Sequence, residues 1–301
     1  MITKLIDQWT ERIQERSNTA REKILDYYQA AGPDYADWSD NYNMHFGYYR
    51  WGENPFNLEA MLNAMNREVL DRLKLGEYKN NKILDMGCGL GTTVRYALSR
   101  YPIKSITGIT IVPWQIDEAK RLMKNEFHSY KASFELQDYQ ATSYAGNNFD
   151  GVYALESSCH ASGSDKKRFL KEAYRLLKPG KRLVIADAYL KRKDKANPVF
   201  EYMYNKMCEY WAVEEFGNIE DIQAAMKDVG FSNIHIEEAS WRIAPSVMYI
   251  PYVATRYFIT KVLPTLFINE QRWNHCMASF YAMLVGMNRR RFGYYIITAE
   301  K

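Results

Sequence analysis

A glycine-rich turn directly after a short apolar run is the strongest chemical signal in this 301-residue sequence. Residues 83–91 read ILDMGCGLG, and Asp85 stands two positions before the first of three alternating glycines. Gly87 and Gly89 lack a Cβ, which lets the backbone come close to a bound molecule. The spacing differs from the G-x-G-x-x-G pattern of dinucleotide folds, and the turn lacks the lysine of a phosphate-binding P-loop. A tight strand-to-helix turn without a ligand is the structural alternative.

A carboxylate and an imidazole follow a second apolar run. Residues 149–155 read FDGVYAL and predict a buried strand, after which Glu156 and His160 lie four residues apart. Both types of side chain accept and deliver protons in catalysis. Ligands of parallel sheets bind at the carboxyl ends of the strands, so this position favours a catalytic role for the pair. A buried side chain satisfied by the backbone is the alternative for each of them.

Composition restricts the class of substrate. The chain has 40 basic and 36 acidic residues, a net charge of +4. A balance this even gives no indication of a nucleic-acid or anionic-membrane partner. Aromatic residues make up 15% of the chain, with 24 Tyr, 13 Phe and 7 Trp, more than an average core requires. We therefore expect a large aromatic-lined pocket and a small or neutral substrate.

The cysteines and the apolar stretches favour a cytoplasmic protein. The four cysteines lie far apart and without metal-ligand spacing, so we predict neither a metal site nor a disulfide. Residues 2–13 place apolar side chains at helical spacing among charges, unlike the continuous apolar core of a signal peptide. Their apolar face offers a surface for a homo-oligomer. The longest apolar stretch, residues 277–286, is about half the ~20 residues that span a bilayer, so we predict no membrane span.

The elements that must position these residues alternate between strand and helix. From residue 81 to about residue 188, five strand-type runs alternate with helical segments. This alternation predicts a parallel sheet covered by helices on both faces. Two more strands follow, the last over residues 292–300, so we predict an α/β fold with a seven-stranded, mostly parallel sheet. We divide the chain into a helical N-terminal cap (1–75), a core (76–240), a helical lid (241–290) and the last strand of the core (291–301).

The glycine turn resembles motif I of the class I S-adenosylmethionine-dependent methyltransferases, which have a Rossmann-like fold. Residues 107–115 (TGITIVPWQ) lack the acid that commonly binds the adenosine ribose and are similar to a variant in the tocopherol and cyclopropane-synthase-like branches. Residues 136–139 (LQDY) match the segment whose acid binds the adenine amino group. A capped surface turn and an exposed strand-end acid are the alternatives. The resemblance implies S-adenosylmethionine as the cofactor and ten contact residues: Asp85, Gly87, Cys88, Gly89, Thr110, Ile111, Gln115, Asp138, Tyr139 and, from the cap, Tyr28.

The segment after the fourth strand narrows the resemblance. Residues 154–161 (ALESSCHA) look like the E-x-x-C-H-A segment of sterol C-methyltransferases, which attack an alkene carbon. Residues 169–180 are similar to the helix and turn that follow in methyltransferases generally. The resemblance implies that Glu156 and His160 are the catalytic residues.

The cap carries a related pattern. Tyr27 and Tyr28 resemble the Y-Y-D entry of the sterol, tocopherol and related methyltransferases, although Gln29 stands where an aspartate is usual. His45 and Tyr49 belong to an H-x-G-[FY]-[YW] turn of the same enzymes, which implies contact with the substrate. An aromatic loop that packs on the sheet without touching a ligand is the alternative. The family resemblance covers about residues 25–240, and the lid matches no family.

Three functions are compatible with these patterns. The first is C-methylation of an isoprenoid or other lipophilic alkene through a carbocation, with proton removal by Glu156 or His160. Aromatic faces stabilise a desolvated cation by roughly 0.5–2 kcal/mol each. The second is N- or O-methylation of a natural product or amine, and the third is a cyclase or binding protein of the same fold without methyl transfer.

A prenyl diphosphate acceptor would require cations or Mg²⁺ around its phosphates. The sequence has no aspartate-rich DDxxD cluster, but basic residues lie in or beside the lid: Arg256, Lys261, Arg289, Arg290 and Arg291. Solvated surface residues are the simpler interpretation of this group. The identity of the acceptor stays open on the sequence alone.

Overall fold

The computed structural model describes residues 19–74, 81–264 and 270–301, and a seven-stranded sheet forms its centre. The strands run in the order β3-β2-β1-β4-β5-β7-β6. Strand β7 pairs antiparallel with both β5 and β6, while the other pairs are parallel. The predicted seven-stranded, mostly parallel sheet is confirmed. The bounds are β1 (Lys82–Met86), β2 (Ser105–Thr110), β3 (Ala132–Leu136), β4 (Phe149–Leu155), β5 (Leu177–Leu190), β6 (Ser232–Glu238) and β7 (Phe292–Glu300).

Helices precede the sheet, cover it and fill the gap before β7. Before the sheet come α1 (19–31), the 3₁₀ turn Gly32–Asp37 and α2 (Leu58–Arg72). Between strands lie α3 (Thr92–Arg100), α4 (Pro113–Met123), α5 (Lys167–Leu176), α6 (Pro198–Tyr210) and α7 (Ile219–Val229). The segment between β6 and β7 holds α8 (Ser240–Val247), α9 (Ile250–Tyr257), the π turn Phe258–Val262 and α10 (Glu270–Met287).

Side chains on the two faces of the sheet pack against two layers of helices. Ile83 packs in one apolar cluster with residues of α2, α3 and α4, while its neighbour Leu84 packs in another with residues of α5 and α7. Successive side chains of a strand point to opposite faces, so a sheet covered on both sides is apolar in every position. The sheet and its two layers therefore form a rigid frame for the residues at the strand ends.

The sequence anticipated most of these elements, with one exception. Helices α3 and α4 follow β1 and β2 as the alternation predicts, and the residues before β7 are helical as expected. Helix α6 was not predicted. The amphipathic pattern of residues 2–13 lies outside the described residues. Helix α2 of the predicted cap shares a buried cluster with the sheet of the predicted core. The boundaries between cap, core and lid therefore stay a prediction.

None of the helices in the described ranges combines the length and the apolar character that a bilayer crossing requires.

Candidate functional site

The turn after β1 depends on glycine for its shape. Gly87 and Gly89 have φ angles of +95° and +50°, a conformation that costs other residues energy. A Cβ on Gly87 would lie 2.3 Å from the Cβ of Ser157, and one on Gly89 would lie 3.0 Å from the Sδ of Met44. The turn therefore brings bare backbone against the loop after β4 and against the cap, and α3 begins directly behind it.

A cavity of about 440 Å³ lies beside this turn, at the carboxyl ends of β1, β2, β3 and β4. The structure brings to it all ten residues that the sequence analysis names as cofactor contacts. They are Tyr28, Asp85, Gly87, Cys88, Gly89, Thr110, Ile111, Gln115, Asp138 and Tyr139. We refer to it below as the cofactor cavity.

Polar groups of the cofactor cavity are held by the surrounding strands. Asp85 accepts a hydrogen bond of 2.8 Å from the hydroxyl of Tyr153, and burial raises the pKa of its carboxyl to about 7. Thr110 donates to the Oε1 of Gln115 over 2.7 Å, which leaves the amide NH₂ of Gln115 free to turn toward a ligand. Asp138 accepts from the backbone N–H of Gln140 over 2.8 Å. The cavity thus offers a carboxyl group for an ammonium and both donors and acceptors for a polar ligand.

A second cavity, of about 530 Å³, lies under the segment between β6 and β7. Residues of α1, α8, α9 and α10 line it, and most of the lining is apolar or aromatic. Five residues line both cavities: Tyr28, Met44, His45, Glu156 and His160. The two cavities therefore adjoin at the end of β4, and we refer to the second one as the acceptor cavity.

Glu156 stands at this junction in a left-handed conformation, with φ of +48°. Non-glycine residues with such angles concentrate at functional sites because the surrounding structure must hold them. Its Oε1 accepts hydrogen bonds from the backbone N–H of Phe46 over 2.8 Å and from the hydroxyl of Tyr294 over 2.9 Å. Burial raises the pKa of Glu156 to about 8, against the opposing effect of the Phe46 N–H. Both donors meet Oε1, and Oε2 has no hydrogen-bond partner among the described residues, which leaves it open to a ligand.

His160 lies beside Glu156 and is uncharged at neutral pH. Its Nε2 is 3.1 Å from the hydroxyl of Tyr28, and burial lowers its pKa to about 4. Asp187 holds the turn that carries it, since its Oδ2 accepts from the backbone N–H of Cys159 over 2.9 Å and from the hydroxyl of Ser158 over 2.6 Å. His160 is therefore a fixed neutral imidazole that orients the Tyr28 hydroxyl.

Lys166, which no pattern in the sequence indicates, holds the same turn through hydrogen bonds to its backbone. This side chain is 1% exposed, and its Nζ donates to three backbone carbonyls: Cys159 at 3.1 Å, Ala161 at 2.7 Å and Glu215 at 2.9 Å. Burial lowers its pKa from the usual value. Nothing in its local sequence separates it from the other lysines, because its partners come together only in the fold.

The two residues named as substrate contacts have different positions. His45 lines both cavities, but its ring nitrogens lie within hydrogen-bond distance of the Phe46 carbonyl (2.9 Å) and of the Asn66 side chain (3.0 Å). Tyr49 lines neither cavity, and its backbone N–H donates to the carbonyl of Arg242 over 2.8 Å. The structure therefore does not bring Tyr49 to the site, because the turn points its side chain away, toward Trp51.

Three arginines in or beside the lid have hydrogen-bond partners in the protein. Arg256 donates to the carbonyl of Asp37 over 3.0 Å, Arg289 to the carboxylate of Glu238, and Arg291 to the carboxylate of Asp194 over 2.8 Å. Within the described ranges, no group of three His, Cys, Asp or Glu side chains is placed to hold a metal ion. Arg289 lines the acceptor cavity, and its Nε has no hydrogen-bond partner among the described residues, so Glu238 engages only part of its guanidinium.

Comparisons with known proteins agree with this architecture. A family model described as a methyltransferase domain matches residues 83–180. An O-methyltransferase of Pyrenophora dematioidea is 36% identical over 49% of this chain and 54% of the relative, so the chain spans about half the length of that relative. Cycloartenol-C-24-methyltransferase 1 of Oryza sativa subsp. japonica is 27% identical over 79% of this chain and 72% of the relative.

A solved structure extends the likeness to the whole fold. The cyclopropane synthase MmaA2 from Mycobacterium tuberculosis superimposes with a TM-score of 0.79, at 13% identity, over 93% of this chain and 98% of that one. Identity this low shows a shared fold. Residues 83–180 therefore match a methyltransferase domain, and the described chain has the Rossmann-like α/β fold of the class I S-adenosylmethionine-dependent methyltransferases.

Proposed function

We propose that this chain transfers a methyl group from S-adenosylmethionine to a small lipophilic acceptor. The observation that carries the proposal is the junction of a polar and an apolar cavity at Glu156 and His160. Methyl transfer is an in-line displacement, so it requires a cofactor and an acceptor that meet at one point away from water. The junction at the end of β4 is such a point.

The residues of the cofactor cavity fit the proposed cofactor. When bound, S-adenosylmethionine supplies an electrophilic methyl carbon on a sulfonium. Asp85 would hold its ammonium, and Gln115 and Asp138 would hold polar groups of its nucleoside. Gly89 lacks a Cβ, and a Cβ at this position would take up part of the cofactor cavity beside Met44. The volume of about 440 Å³ is in the range of small-molecule sites.

The acceptor cavity supports a lipophilic acceptor without a phosphate group. Its lining is mostly apolar, and Arg289, the arginine among its described lining residues, already pairs with Glu238 through one nitrogen. An anionic diphosphate buried there would lose its hydration and would have to compete with Glu238 for Arg289, which is costly. A neutral isoprenoid or a similar alkene would lose little.

The aromatic side chains near the junction support transfer to carbon. Attack by an alkene on the methyl group leaves a carbocation on the acceptor, which the faces of aromatic rings stabilise. Tyr28, Phe46 and Tyr294 line the acceptor cavity and each makes a hydrogen bond to His160 or Glu156 at the junction. Stabilisation of a carbocation would account for part of the high aromatic content of the sequence.

Glu156 is the group that we assign to removal of the proton. Its carboxyl has a pKa of about 8 in the protein without ligands, and a cation beside it would favour the ionised form. The free Oε2 can then accept a proton from a carbon next to the cation. His160, with a pKa of about 4, is the weaker base, and we assign it to orienting Tyr28.

O-methylation is the second candidate, because one observation favours it. Glu156 and the hydroxyl of Tyr294 form a hydrogen-bonded pair at the junction, and such a pair suits an acceptor hydroxyl. Glu156 would then take the proton from oxygen instead of carbon. The relative from Pyrenophora dematioidea is named an O-methyltransferase.

Incubation with methyl-labelled S-adenosylmethionine tests the proposal. The acceptors are prenyl alcohols, prenyl diphosphates, phenols and amines, and the position of the label in each product is determined. We expect label on an alkene carbon of a neutral isoprenoid. Label on oxygen would favour the second candidate, and transfer only to a diphosphate would contradict the uncharged acceptor. Cofactor binding without transfer to any acceptor would indicate a cyclase or a binding protein.

A further inference from the structure

Three polar side chains form a separate cluster in the acceptor cavity. The hydroxyl of Tyr27 on α1 lies 2.7 Å from Nδ1 of His275 on α10 and 3.4 Å from the hydroxyl of Tyr35 on the 3₁₀ turn. All three residues line the acceptor cavity, and none lines the cofactor cavity. The ring centroid of Tyr28 lies 4.9 Å from that of Tyr27 and 5.6 Å from that of His160, so the Tyr28 ring is in contact with both the cluster and His160. The cluster is therefore a second polar point in an apolar space.

The cluster is uncharged at neutral pH. Burial lowers the pKa of His275 to about 4, raises that of Tyr35 to about 12 and raises that of Tyr27 well above its ordinary value. A neutral imidazole has one donor and one acceptor nitrogen. Nδ1 of His275 is engaged with Tyr27, and Nε2 has no hydrogen bond to another described residue. A polar atom in an apolar cavity is therefore left for a ligand.

We propose that Tyr27, Tyr35 and His275 form a subsite for an uncharged polar group of the acceptor, a hydroxyl or a carbonyl, away from the atom that is methylated. This inference rests on the proposed function, since it assumes that the acceptor occupies this cavity. His275 lines the cavity and its Nε2 has no partner among the described residues, so a ligand hydroxyl that reaches it adds a hydrogen bond and gains affinity over a hydrocarbon of the same shape. The subsite also sets the orientation of the acceptor relative to Glu156.

A purely mechanical role for the same contact makes a different prediction. The bond between Tyr27 and His275 joins α1 to α10, so it could serve only to hold the cap on the lid. Loss of such a contact would weaken the binding of every acceptor alike. Loss of a subsite would weaken only acceptors that carry the polar group.

Two substitutions of the same residue separate these roles. His275→Asn keeps a polar group near the Nδ1 position and removes the Nε2 position, while His275→Gln keeps a polar group near Nε2. The probes are farnesol and the hydrocarbon farnesene, and their dissociation constants are measured by tryptophan quenching with the full chain and S-adenosylhomocysteine. The matched control is Tyr252→Phe, an exposed residue of the lid outside both cavities. Calorimetry with S-adenosylhomocysteine checks the cofactor cavity of each variant independently.

We expect the unaltered chain to bind farnesol about 5-fold more tightly than farnesene, an advantage of one hydrogen bond. His275→Asn should reduce this ratio to below about 2-fold by weakening farnesol alone, while His275→Gln and Tyr252→Phe should keep most of it. Equal weakening of both probes, an unchanged ratio in His275→Asn, or failure of the unaltered chain to distinguish or bind the probes would overturn the subsite. Failure of S-adenosylhomocysteine to bind would instead refute the proposed function.

Discussion

The cofactor cavity and the acceptor cavity meet at Glu156, but different parts of the chain build them. The cofactor cavity takes its key residues from the turns directly after β1, β2, β3 and β4, where the rigid sheet positions them. The acceptor cavity is closed by segments far apart in sequence, and the contact between Tyr27 and His275 joins residues 248 positions apart. Backbone geometry thus defines one cavity, and packing between side chains defines the other.

This difference predicts separable effects of substitution. A change in the glycine turn should abolish cofactor binding, because no side-chain movement relieves a strained backbone. A change in the lid should alter the choice of acceptor and leave the cofactor in place. Residues at the junction should affect the chemical step more than either binding event.

The largest effect is expected at the glycine turn. Gly89 has a φ of +50°, and a Cβ there would lie 3.0 Å from Met44 Sδ within the cofactor cavity. A valine adds a branched side chain at this point and strains the backbone. Gly89→Val should leave no binding of S-adenosylmethionine or S-adenosylhomocysteine detectable by calorimetry. Gly180→Val is the matched control, since Gly180 also has a positive φ (+71°) but lies outside both cavities. Similar losses in both variants would attribute the effect to general destabilisation.

The next effect concerns the chemical step at the junction. Glu156→Gln keeps the size of the side chain and a hydrogen-bonding group but removes the base. Turnover should fall by roughly 10²- to 10⁴-fold, with little change in cofactor affinity. Tyr294→Phe, which removes one of the two donors to Glu156 and keeps the carboxylate, should cost less than about 10-fold. If Glu156→Gln and His160→Asn both retain near-normal turnover while chemistry limits the rate, the base lies elsewhere.

The same contrast between the two cavities explains what the sequence could predict. The ten residues of the cofactor cavity were identifiable because each lies in a short motif at a strand end or, for Tyr28, in a tyrosine pair of the cap. The sheet was identifiable because its apolar runs alternate with helical segments. Helix α6 was overlooked although Asn197 caps its first turn and Pro198 occupies its start, which are recognisable signals.

His275, Lys166 and Tyr294 were out of reach of such reasoning. Each acts through partners that only the folded chain brings near: Tyr27 for His275, three carbonyls for Lys166 and Glu156 for Tyr294. Tyr49 shows the opposite error, because a local pattern that matched known enzymes did not determine where its side chain points. Contacts between distant segments carry no local signature.

Lys166 connects the turn after β4 to the backbone at Glu215, and its removal should lower the stability of the fold. Lys166→Met would leave the carbonyls of Cys159, Ala161 and Glu215 without their donor in a buried place. Unsatisfied buried groups cost about 1–3 kcal/mol each, so we expect the free energy of unfolding to fall by about 3 kcal/mol in urea titration. Lys167→Met is the control, since the neighbouring side chain pairs with Asp228 at the surface and its loss should change stability much less than the loss of Lys166. Equal effects of the two substitutions would contradict a special role for Lys166.

The smallest effect is a proton released when the cofactor binds at the junction. Glu156 has a pKa of about 8, so it is mostly protonated at about pH 7.5, and the positive sulfonium of S-adenosylmethionine should lower that pKa. S-adenosylhomocysteine has a neutral sulfur, so its binding should release fewer protons. Both ligands carry the same ammonium, so its effect on the pKa of Asp85, which is about 7, cancels when the two proton counts are subtracted. Calorimetry in buffers of different ionisation enthalpy should therefore show up to about one extra proton released with S-adenosylmethionine, and the affinity for it relative to S-adenosylhomocysteine should rise with pH up to about 8. In Glu156→Gln, the extra proton release and the pH dependence of the affinity ratio should both vanish. If they persist, another group releases the proton and Glu156 does not lie beside the sulfonium.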